Sequence, residues 1–350
     1  MNKNYSISLF VFILIISYSD LFINSTSNNH NSFDTEQDYE WKTLSLDESL
    51  GYLGRGFLSP DSKNDGFFFS DISTHFVGIF DSNGDPMKYI GRRGRGPGDF
   101  ETPKSVARAN NGTIYVAEVN GRISAFDGET GAFLDMLLFD FTQILEIINY
   151  KENYLIVSGT RKSQLTDDGR FKHLHVIDLE NKKIIHSFFS SPPLEDYLIP
   201  VARTKSNILS VGIVDDKIFV THGLVTDLYV YDSKFNHINT IPIDLPNFRS
   251  ISDLSEKDAS NLFSAIKGFT FIEKMVPIND DLVLIQLIDV NDISFEKGGT
   301  DITVRTYSFN LNTKELHDMN IPNILLFKNT ENKVFFLESP GLNEYRYIQF

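Results

Sequence analysis

The sequence has 350 residues, of which 41% are hydrophobic and 23% charged, with a formal net charge of −15 and no cysteine. The apolar fraction is too high for a disordered chain. The lack of cysteine excludes disulfides, a cysteine nucleophile and a thiolate metal site. The negative charge repels phosphates, so nucleic acid and anionic membranes are not expected partners. With 30 Phe and 14 Tyr, the composition favours an all-β protein.

The amino-terminal residues have the features of a signal peptide. An apolar run covers residues 7–16, about half of the roughly 20 residues that a membrane-spanning helix needs. We predict a signal peptide over 1–19 and a flexible polar leader over 20–39, hence a periplasmic or secreted protein without a transmembrane domain in its mature form. No cysteine stands at the cleavage point to carry a lipid anchor. The alternative is that the segment is retained as an uncleaved anchor.

One pattern recurs along the rest of the chain: an apolar strand ends in an apolar–Asp or apolar–Asn pair, and a turn leads to another strand. Such an Asx side chain bonds the backbone two residues on, which is typical of a hairpin turn. The turns start 46, 51, 54 and 78 residues apart, at Asp81, Asp127, Asp178, Asp232 and Asn310. Units of roughly 40–50 residues with several short strands indicate propeller blades.

A second set of strands lies upstream of these turns and supports the same register. Its six members cover residues 67–71, 114–118, 155–159, 218–222, 283–287 and 334–338. The last member is followed by one strand only, and residues 41–46 supply the strand that is missing there. We therefore predict an all-β, six-bladed β-propeller over 40–350, with four-stranded blades and an amino-terminal strand that closes the last blade. Closure removes exposed sheet edges.

The spacing of 78 residues between the last two turns needs an insertion. Residues 252–267 begin with Asp253, and Glu256 follows three positions later, as in a capping box. Apolar residues then fall on one helical face. We predict one short inserted helix here; a degenerate blade is the alternative.

Residues 91–134 resemble an NHL-type repeat. They contain a Gly-rich lead with Gly94, Gly96 and Pro97, an IYVAE strand at 114–118 and an RISAFD strand that begins at Arg122. With the signal peptide and five more divergent units, the chain resembles TolB-like six-bladed propellers of Bacteroidetes-type bacteria. The resemblance implies an extracytoplasmic propeller and no catalytic residue.

The long segments of the predicted propeller all fall on the face that carries the blade-to-blade connections. Loops on a rigid scaffold usually carry function, so we predict the working site there, around the mouth of the central channel. In an acidic protein, the arginines of these connections could bind a carboxylate, phosphate or sulfate. We assign ligand binding to Arg92, Arg93, Arg95 and Arg161. The alternative is that the arginines pair with neighbouring carboxylates.

The ends of the second strands provide the candidate metal ligands. Converging carboxylates and an imidazole could hold a divalent cation, and the candidates are Asp71, Glu118, His222 and Glu338. Two of the six positions lack a ligand, and acids at strand ends also pair with arginines. No complete catalytic set is present, so we expect a non-catalytic module without a cofactor that binds a protein or a small anion. The alternatives are a metal-dependent hydrolase or lactonase and a structural scaffold of an envelope complex.

Overall fold

The computed structural model is built from β-strands. It describes residues 41–45, 56–163, 172–190, 209–250, 267–294, 299–339 and 344–350. Within these ranges, 24 strands form six four-stranded antiparallel sheets. No helix in the described ranges has the length and apolarity needed to cross a membrane. The predicted signal peptide and leader, and all but the last residue of the predicted helix at 252–267, lie outside the described residues.

The first described strand, β1 (Lys42–Ser45), belongs to the sheet formed by the last three strands of the chain. The other sheets each consist of four consecutive strands. Blade 1 consists of β2 (Gly56–Pro60), β3 (Phe67–Asp71), β4 (Phe76–Phe80) and β5 (Pro86–Ile90). Blade 2 consists of β6 (Pro103–Arg108), β7 (Ile114–Glu118), β8 (Arg122–Phe126) and β9 (Phe133–Leu138). Blade 3 consists of β10 (Phe141–Tyr150), β11 (Tyr154–Arg161), β12 (Lys172–Asp178) and β13 (Lys183–Ser190).

The remaining strands form the other three sheets. Blade 4 consists of β14 (Leu209–Val214), β15 (Lys217–His222), β16 (Asp227–Tyr231) and β17 (His237–Pro242). Blade 5 consists of β18 (Thr270–Pro277), β19 (Leu282–Ser294), β20 (Gly299–Asn310) and β21 (Leu316–Asp318). Blade 6 consists of β22 (Ile324–Lys328), β23 (Lys333–Ser339), β24 (Glu344–Gln349) and β1.

The last blade is completed by the amino-terminal strand, as the sequence predicts. Strand β1 pairs antiparallel with β24, with Lys42 opposite Tyr347 and Ser45 opposite Glu344. Trp41 packs edge-on against Phe336 at 5.5 Å between ring centroids. The prediction of six four-stranded blades closed by this strand is confirmed, and the fold is a six-bladed β-propeller.

The five repeated turns are closed by their Asx side chains. Asp81 Oδ1 accepts the N–H of Asn83 at 2.8 Å, and Asp127 Oδ1 accepts that of Thr130 at 2.7 Å. Comparable bonds start at Asp178, Asp232 and Asn310. These turns connect the third and fourth strands of their blades, so the recurring sequence pattern marks one position in each of five blades.

The described apolar core includes layers between consecutive blades. One cluster joins blades 1 and 2 and includes Phe68, Phe100 and Phe126, each at most 2% exposed. Another joins blades 4 and 5. All five residues of β3 and of β7 are buried because both faces of these strands are covered. This explains why the second strands read as unbroken apolar runs rather than as alternating patterns.

Serines on the first strands connect neighbouring blades by hydrogen bonds. Ser105 Oγ accepts the N–H of Ile147 at 3.0 Å, which links blade 2 to blade 3. Ser210 Oγ accepts the N–H of Met275 at 2.9 Å and donates to its carbonyl oxygen, which links blade 4 to blade 5. A buried hydroxyl bonded to the next strand satisfies main-chain groups that have no partner within their own sheet.

Candidate functional site

The connection between β5 and β6, residues 91–102, carries three of the four predicted ligand-binding arginines, and we call it the arginine loop. Its main chain folds back on itself. The N–H of Phe100 bonds to the carbonyl of Arg92 at 2.7 Å, and the N–H of Gly94 bonds to the carbonyl of Phe100 at 3.0 Å. The Phe100 ring is fully buried and lies 5.5 Å from the Phe126 ring. The loop is therefore anchored in the core between blades 1 and 2.

One glycine of the arginine loop is required by its surroundings. Gly91 has a φ of +77°, in the left-handed region that favours glycine. A Cβ atom at this position would lie 2.1 Å from an atom of the Phe100 ring. Glycine at position 91 therefore allows close packing of the loop on its own aromatic anchor.

A buried ion pair holds the arginine loop from inside blade 2. Arg122, at the start of β8, contacts a Glu118 carboxylate oxygen at the end of β7 through Nε, and the two side chains are 11% and 0% exposed. The Arg122 Nη2 donates to the carbonyl oxygen of Asp99 at 2.8 Å, and Nη1 donates to that of Arg95 at 3.1 Å. One guanidinium thus joins a carboxylate to two main-chain carbonyls of the loop.

The Glu118 carboxylate also binds the loop directly. Its Oε1 accepts the N–H of Glu101 at 2.6 Å and that of Thr102 at 3.1 Å. The Glu118 carboxylate thus accepts from two main-chain amides through one oxygen and from a guanidinium through the other. In blade 2, the end of the second strand and the incoming connection consequently lie at the same end of the blade.

Two of the loop arginines pair with carboxylates of the same loop. Arg92 Nε lies 2.8 Å from Asp99 Oδ1, and Arg95 Nε lies 2.7 Å from Glu101 Oε1, while the two arginine side chains are 83% and 85% exposed. The hydrogen bond from Arg92 lowers the pKa of Asp99, and the bond from Arg95 lowers that of Glu101. Exposed pairs of this kind are weak, so both guanidiniums remain accessible to another anion.

Arg93 differs from its two neighbours. Its main chain forms an isolated parallel bridge with Phe100, which fixes the backbone of the residue in place. Its side chain is exposed, and no carboxylate in the described part of the chain forms an ion pair with it. Arg93 is thus a solvent-facing cation on an anchored backbone.

The fourth predicted arginine, Arg161, lies at the end of β11 in blade 3. Its Nε contacts Asp140 Oδ1 at 2.5 Å, and Asp140 also accepts the N–H of Ser163 at 3.2 Å. Burial opposes ionisation of Asp140, yet the bonds from Ser163 and Arg161 lower its pKa overall. Across the described ranges, no hydrogen bond or ion pair connects Arg161 to the arginine loop. Its role in the same ligand site stays a prediction.

The predicted metal ligands each have main-chain or side-chain partners where their side chains are described. Asp71 Oδ1 accepts the N–H groups of Ser73 and Thr74 at 2.7 and 3.0 Å. Glu118 is held by Arg122, and His222 Nδ1 accepts the N–H of Leu224 at 3.3 Å. The side chain of Glu338 lies outside the described residues. Among the side chains that the structure describes, no three His, Asp or Glu groups are placed to share a metal ion. The metal site stays a prediction.

Sequence reasoning missed a second loop-holding arginine, in blade 5. Arg305 on β20 contacts Asp289 of β19 through Nε at 2.8 Å, and its Nη1 donates to the carbonyl oxygen of Pro246 at 2.7 Å. Thr270 Oγ1 donates to the same aspartate at 2.6 Å. The sequence contains a pattern that could have indicated this role. Arg305 stands four residues before Phe309, the aromatic residue that precedes the Asx of the turn, and Arg122 stands four residues before Phe126 in the same way.

Comparison with known proteins supports the class of fold. The family model DUF5128, described as a six-bladed β-propeller, matches residues 62–193. Two solved structures superpose on the chain, each with a TM-score of 0.61. One is a protein of Bacteroides fragilis described as exported; it is 13% identical, and the match covers 91% of this chain and 97% of that one. The other is a DUF4221 family member of Bacteroides vulgatus; it is 12% identical, and the match covers 89% of this chain and 96% of that one. At these identities the likeness shows the fold alone. No curated protein matches the sequence significantly.

Proposed function

We propose that the chain is an extracytoplasmic, non-catalytic binding module that uses the arginine loop to contact an oxyanion on a small ligand or a partner protein. The observation that carries this proposal is an exposed group of three arginines on a loop that buried Arg122 fixes in place. The apolar run at 7–16 and the exported class of one structural neighbour support the location. The NHL-type resemblance of residues 91–134 and the TolB-like resemblance of the chain as a whole support a propeller without catalytic residues.

The local charge of the loop supports an anionic ligand. The chain as a whole carries −15, yet Arg92, Arg93 and Arg95 stand within four residues of one another and project into solvent. Asp99 and Glu101 offset two of them. No carboxylate among the described residues pairs with the Arg93 guanidinium. Planar guanidinium groups match carboxylate, phosphate and sulfate oxygens by paired hydrogen bonds.

Preorganisation of the loop is the second support. Binding costs less when the groups that contact the ligand are already ordered. The arginine loop is anchored by the Phe100 ring, by main-chain bonds and by Arg122, whereas the three arginine side chains stay free to reorient. The hydrolase alternative has less support, because the Glu118 carboxylate is already paired with the Arg122 guanidinium.

The test measures thermal unfolding with phosphate, sulfate or acetate added at constant ionic strength. An anion that binds the folded state raises the melting temperature, by about 2–4 °C at saturating concentration. We expect this rise for the wild type and its loss in the triple variant Arg92→Gln, Arg93→Gln, Arg95→Gln. The matched control replaces three exposed lysines outside the arginine loop: Lys63→Gln and Lys234→Gln in turns, and Lys183→Gln at the start of β13.

The two triple variants carry the same change in net charge, so they separate a local site from a general electrostatic effect. Retention of the rise in the lysine control, with its loss in the arginine variant, supports the proposal. An equal response of wild type and arginine variant to all three anions would contradict it. No response of the wild type to any of the anions would contradict it as well.

A further inference from the structure

We infer that Arg122 is a positioning residue that sets the conformation of the arginine loop, and that it acts through main-chain carbonyls rather than by touching the ligand. The consequence for ligand binding rests on the proposed function; the effect on the loop does not. Arg122 lies in β8, outside the loop, and is nearly buried. Together with Glu118, it connects the strands of blade 2 to the loop that presents Arg92, Arg93 and Arg95.

Arg122 contacts the main chain of the loop at two positions. Its Nη1 binds the carbonyl oxygen of Arg95 and its Nη2 that of Asp99, so the tip between them is held at both ends. The residues within this segment include Gly96 and Gly98, which restrict the backbone little by themselves. Within the segment, the N–H of Asp99 bonds to the carbonyl oxygen of Gly96 at 3.1 Å, and the N–H of Gly96 bonds to Asp99 Oδ2 at 3.2 Å. These bonds order the turn itself, whereas the Arg122 guanidinium attaches both of its ends to blade 2.

The contacts require an arginine. The planar guanidinium directs Nε to Glu118 and its two Nη groups to separate carbonyls, and all three directions are fixed relative to one another. A lysine at this position would keep the charge opposite Glu118. Its single ammonium group could not reach the carboxylate and both carbonyls in the same geometry. Replacement by lysine thus separates the effect of the positive charge from the effect of the three directed hydrogen bonds of the guanidinium.

The molecule supplies its own comparison in blade 5. Arg305 makes the same kind of contact, pairing with Asp289 while it donates to the main-chain carbonyl of Pro246. The connection that it holds contains no group of exposed arginines between Ile243 and Ser250; Arg249 is alone there. Arg305 variants therefore report the effect of losing a loop-holding guanidinium elsewhere in the fold, without any change in the arginine loop.

Limited trypsin digestion tests the inference, because the loop contains three trypsin sites, after Arg92, Arg93 and Arg95. Cleavage requires local opening of the segment. The rate at these sites is measured by mass spectrometry relative to cleavage after Lys234, in an exposed turn of blade 4. We expect the ratio to rise about tenfold or more in Arg122→Gln, by a smaller factor in Arg122→Lys, and not at all in Arg305→Gln.

Removal of Arg122 leaves the buried Glu118 without its cation, so a second variant guards against global unfolding. Glu118→Gln with Arg122→Gln removes both charges, and we expect it to retain the raised ratio while cleavage after Lys234 stays at the wild-type rate. A ratio that stays at the wild-type value in this folded double variant would overturn the inference. A ratio that rises equally in Arg305→Gln would also overturn it, because the effect would then be general.

The outcome is distinguishable from failure of the proposed function. If the triple arginine variant binds anions as the wild type does, the proposed ligand site is wrong, yet the digestion result still decides whether Arg122 positions the loop. If both proposals hold, Arg122→Lys weakens the anion-dependent rise in melting temperature while retaining all three exposed arginines. The melting temperature without anion serves as the baseline for this comparison.

Discussion

The junction between blades 1 and 2 uses arginine in two different ways at its two ends. At one end, where turns join the first and second strands, Arg108 is the last residue of β6 and forms a bidentate ion pair with Asp61. The distances are 2.9 Å from Nε to Oδ1 and 2.7 Å from Nη2 to Oδ2. We call this the turn end. These two side chains are 6% and 1% exposed. At the connection end, Arg92 and Arg95 make ion pairs at comparable distances but remain largely in solvent.

The difference lies in burial rather than in geometry. A buried pair cannot lose one partner without leaving a charge away from water, so Asp61 and Arg108 commit each other to one arrangement. Exposed pairs exchange readily with water and salt. The turn end of the junction is therefore structural, and the connection end keeps cations available. Arg122 combines features of both ends: its side chain is nearly buried against Glu118, as in the turn-end pair, but it donates to carbonyl oxygens of the exposed arginine loop.

The largest expected effect comes from breaking the turn-end pair. Arg108→Met leaves Asp61 buried without its cation, and we expect a loss of about 3–5 kcal/mol in the free energy of unfolding. Asp61 also accepts bonds from the Lys63 N–H and the Asn64 side chain, which cannot neutralise it. Urea denaturation measures the change.

The control for this variant removes both charges. Arg108→Met with Asp61→Asn should be clearly more stable than Arg108→Met alone, because the uncompensated buried carboxylate is gone. If the single and double variants lose the same stability, the contribution of Arg108 is packing of its side chain, whose guanidinium carbon lies 5.4 Å from the centroid of the Phe68 ring. That result would contradict the view that the buried charges of Asp61 and Arg108 depend on each other.

A second expected effect concerns two buried histidines of blade 3. His173 and His175 of β12 are 6% and 0% exposed, and burial lowers the pKa of each to about 4. His175 bonds to Ser187 Oγ through Nδ1 at 2.9 Å and packs against the Phe141 ring. Nearby Arg161 and His173 lower its pKa further, while the Gly159 carbonyl and Asp140 act in the opposite sense.

The sign of the pH dependence follows from these values. In the unfolded chain a histidine titrates near 6.5, so between pH 6.5 and about 4 the unfolded state binds more protons than the folded one. Stability must fall as the pH falls through this window, by about 3 kcal/mol per histidine at its lower end. Above pH 6.5 both states are neutral and this contribution does not change.

Urea denaturation at pH 7.5 and 4.5 tests this dependence. His175→Gln should reduce the difference in stability between the two pH values by about 2 kcal/mol relative to the wild type. The exposed His237→Gln is the matched control and should leave the difference unchanged. Carboxylates titrate equally in all three proteins. An unchanged difference in His175→Gln would show that this histidine is protonated in the folded state without cost.

The sequence predicts the blades far better than the partners of charged residues. The Asx turns at Asp81, Asp127 and Asp232 are local patterns, and each closes by bonds within four residues. The partner of Arg108, by contrast, lies 47 residues away in another blade, and nothing in the sequence around Asp61 marks it. Local chemistry can be deduced from neighbours in the chain, whereas contacts between blades depend on the folded packing.

The candidate site shows the same limit within one loop. The sequence indicates Arg92, Arg93 and Arg95 as a group because they are exceptions in an acidic chain. It does not indicate which of the three pairs with Asp99 and which with Glu101, since that depends on how the loop folds over Phe100. Glu118 was a candidate metal ligand because it ends a strand; its bond to Arg122 depends on the pairing of β7 with β8.

The smallest expected effect is loss of the exposed pairs at the connection end. Arg92→Gln and Arg95→Gln should each shift the melting temperature by less than about 2 °C, because exposed ion pairs contribute little and are screened by salt. Scanning calorimetry at low and high salt measures the shift, with Lys234→Gln as the control. A large, salt-independent decrease in either variant would mean that the arginine is part of the framework, as Arg108 is. Negligible shifts leave both guanidiniums available to a ligand at little cost in stability, which the proposed function requires.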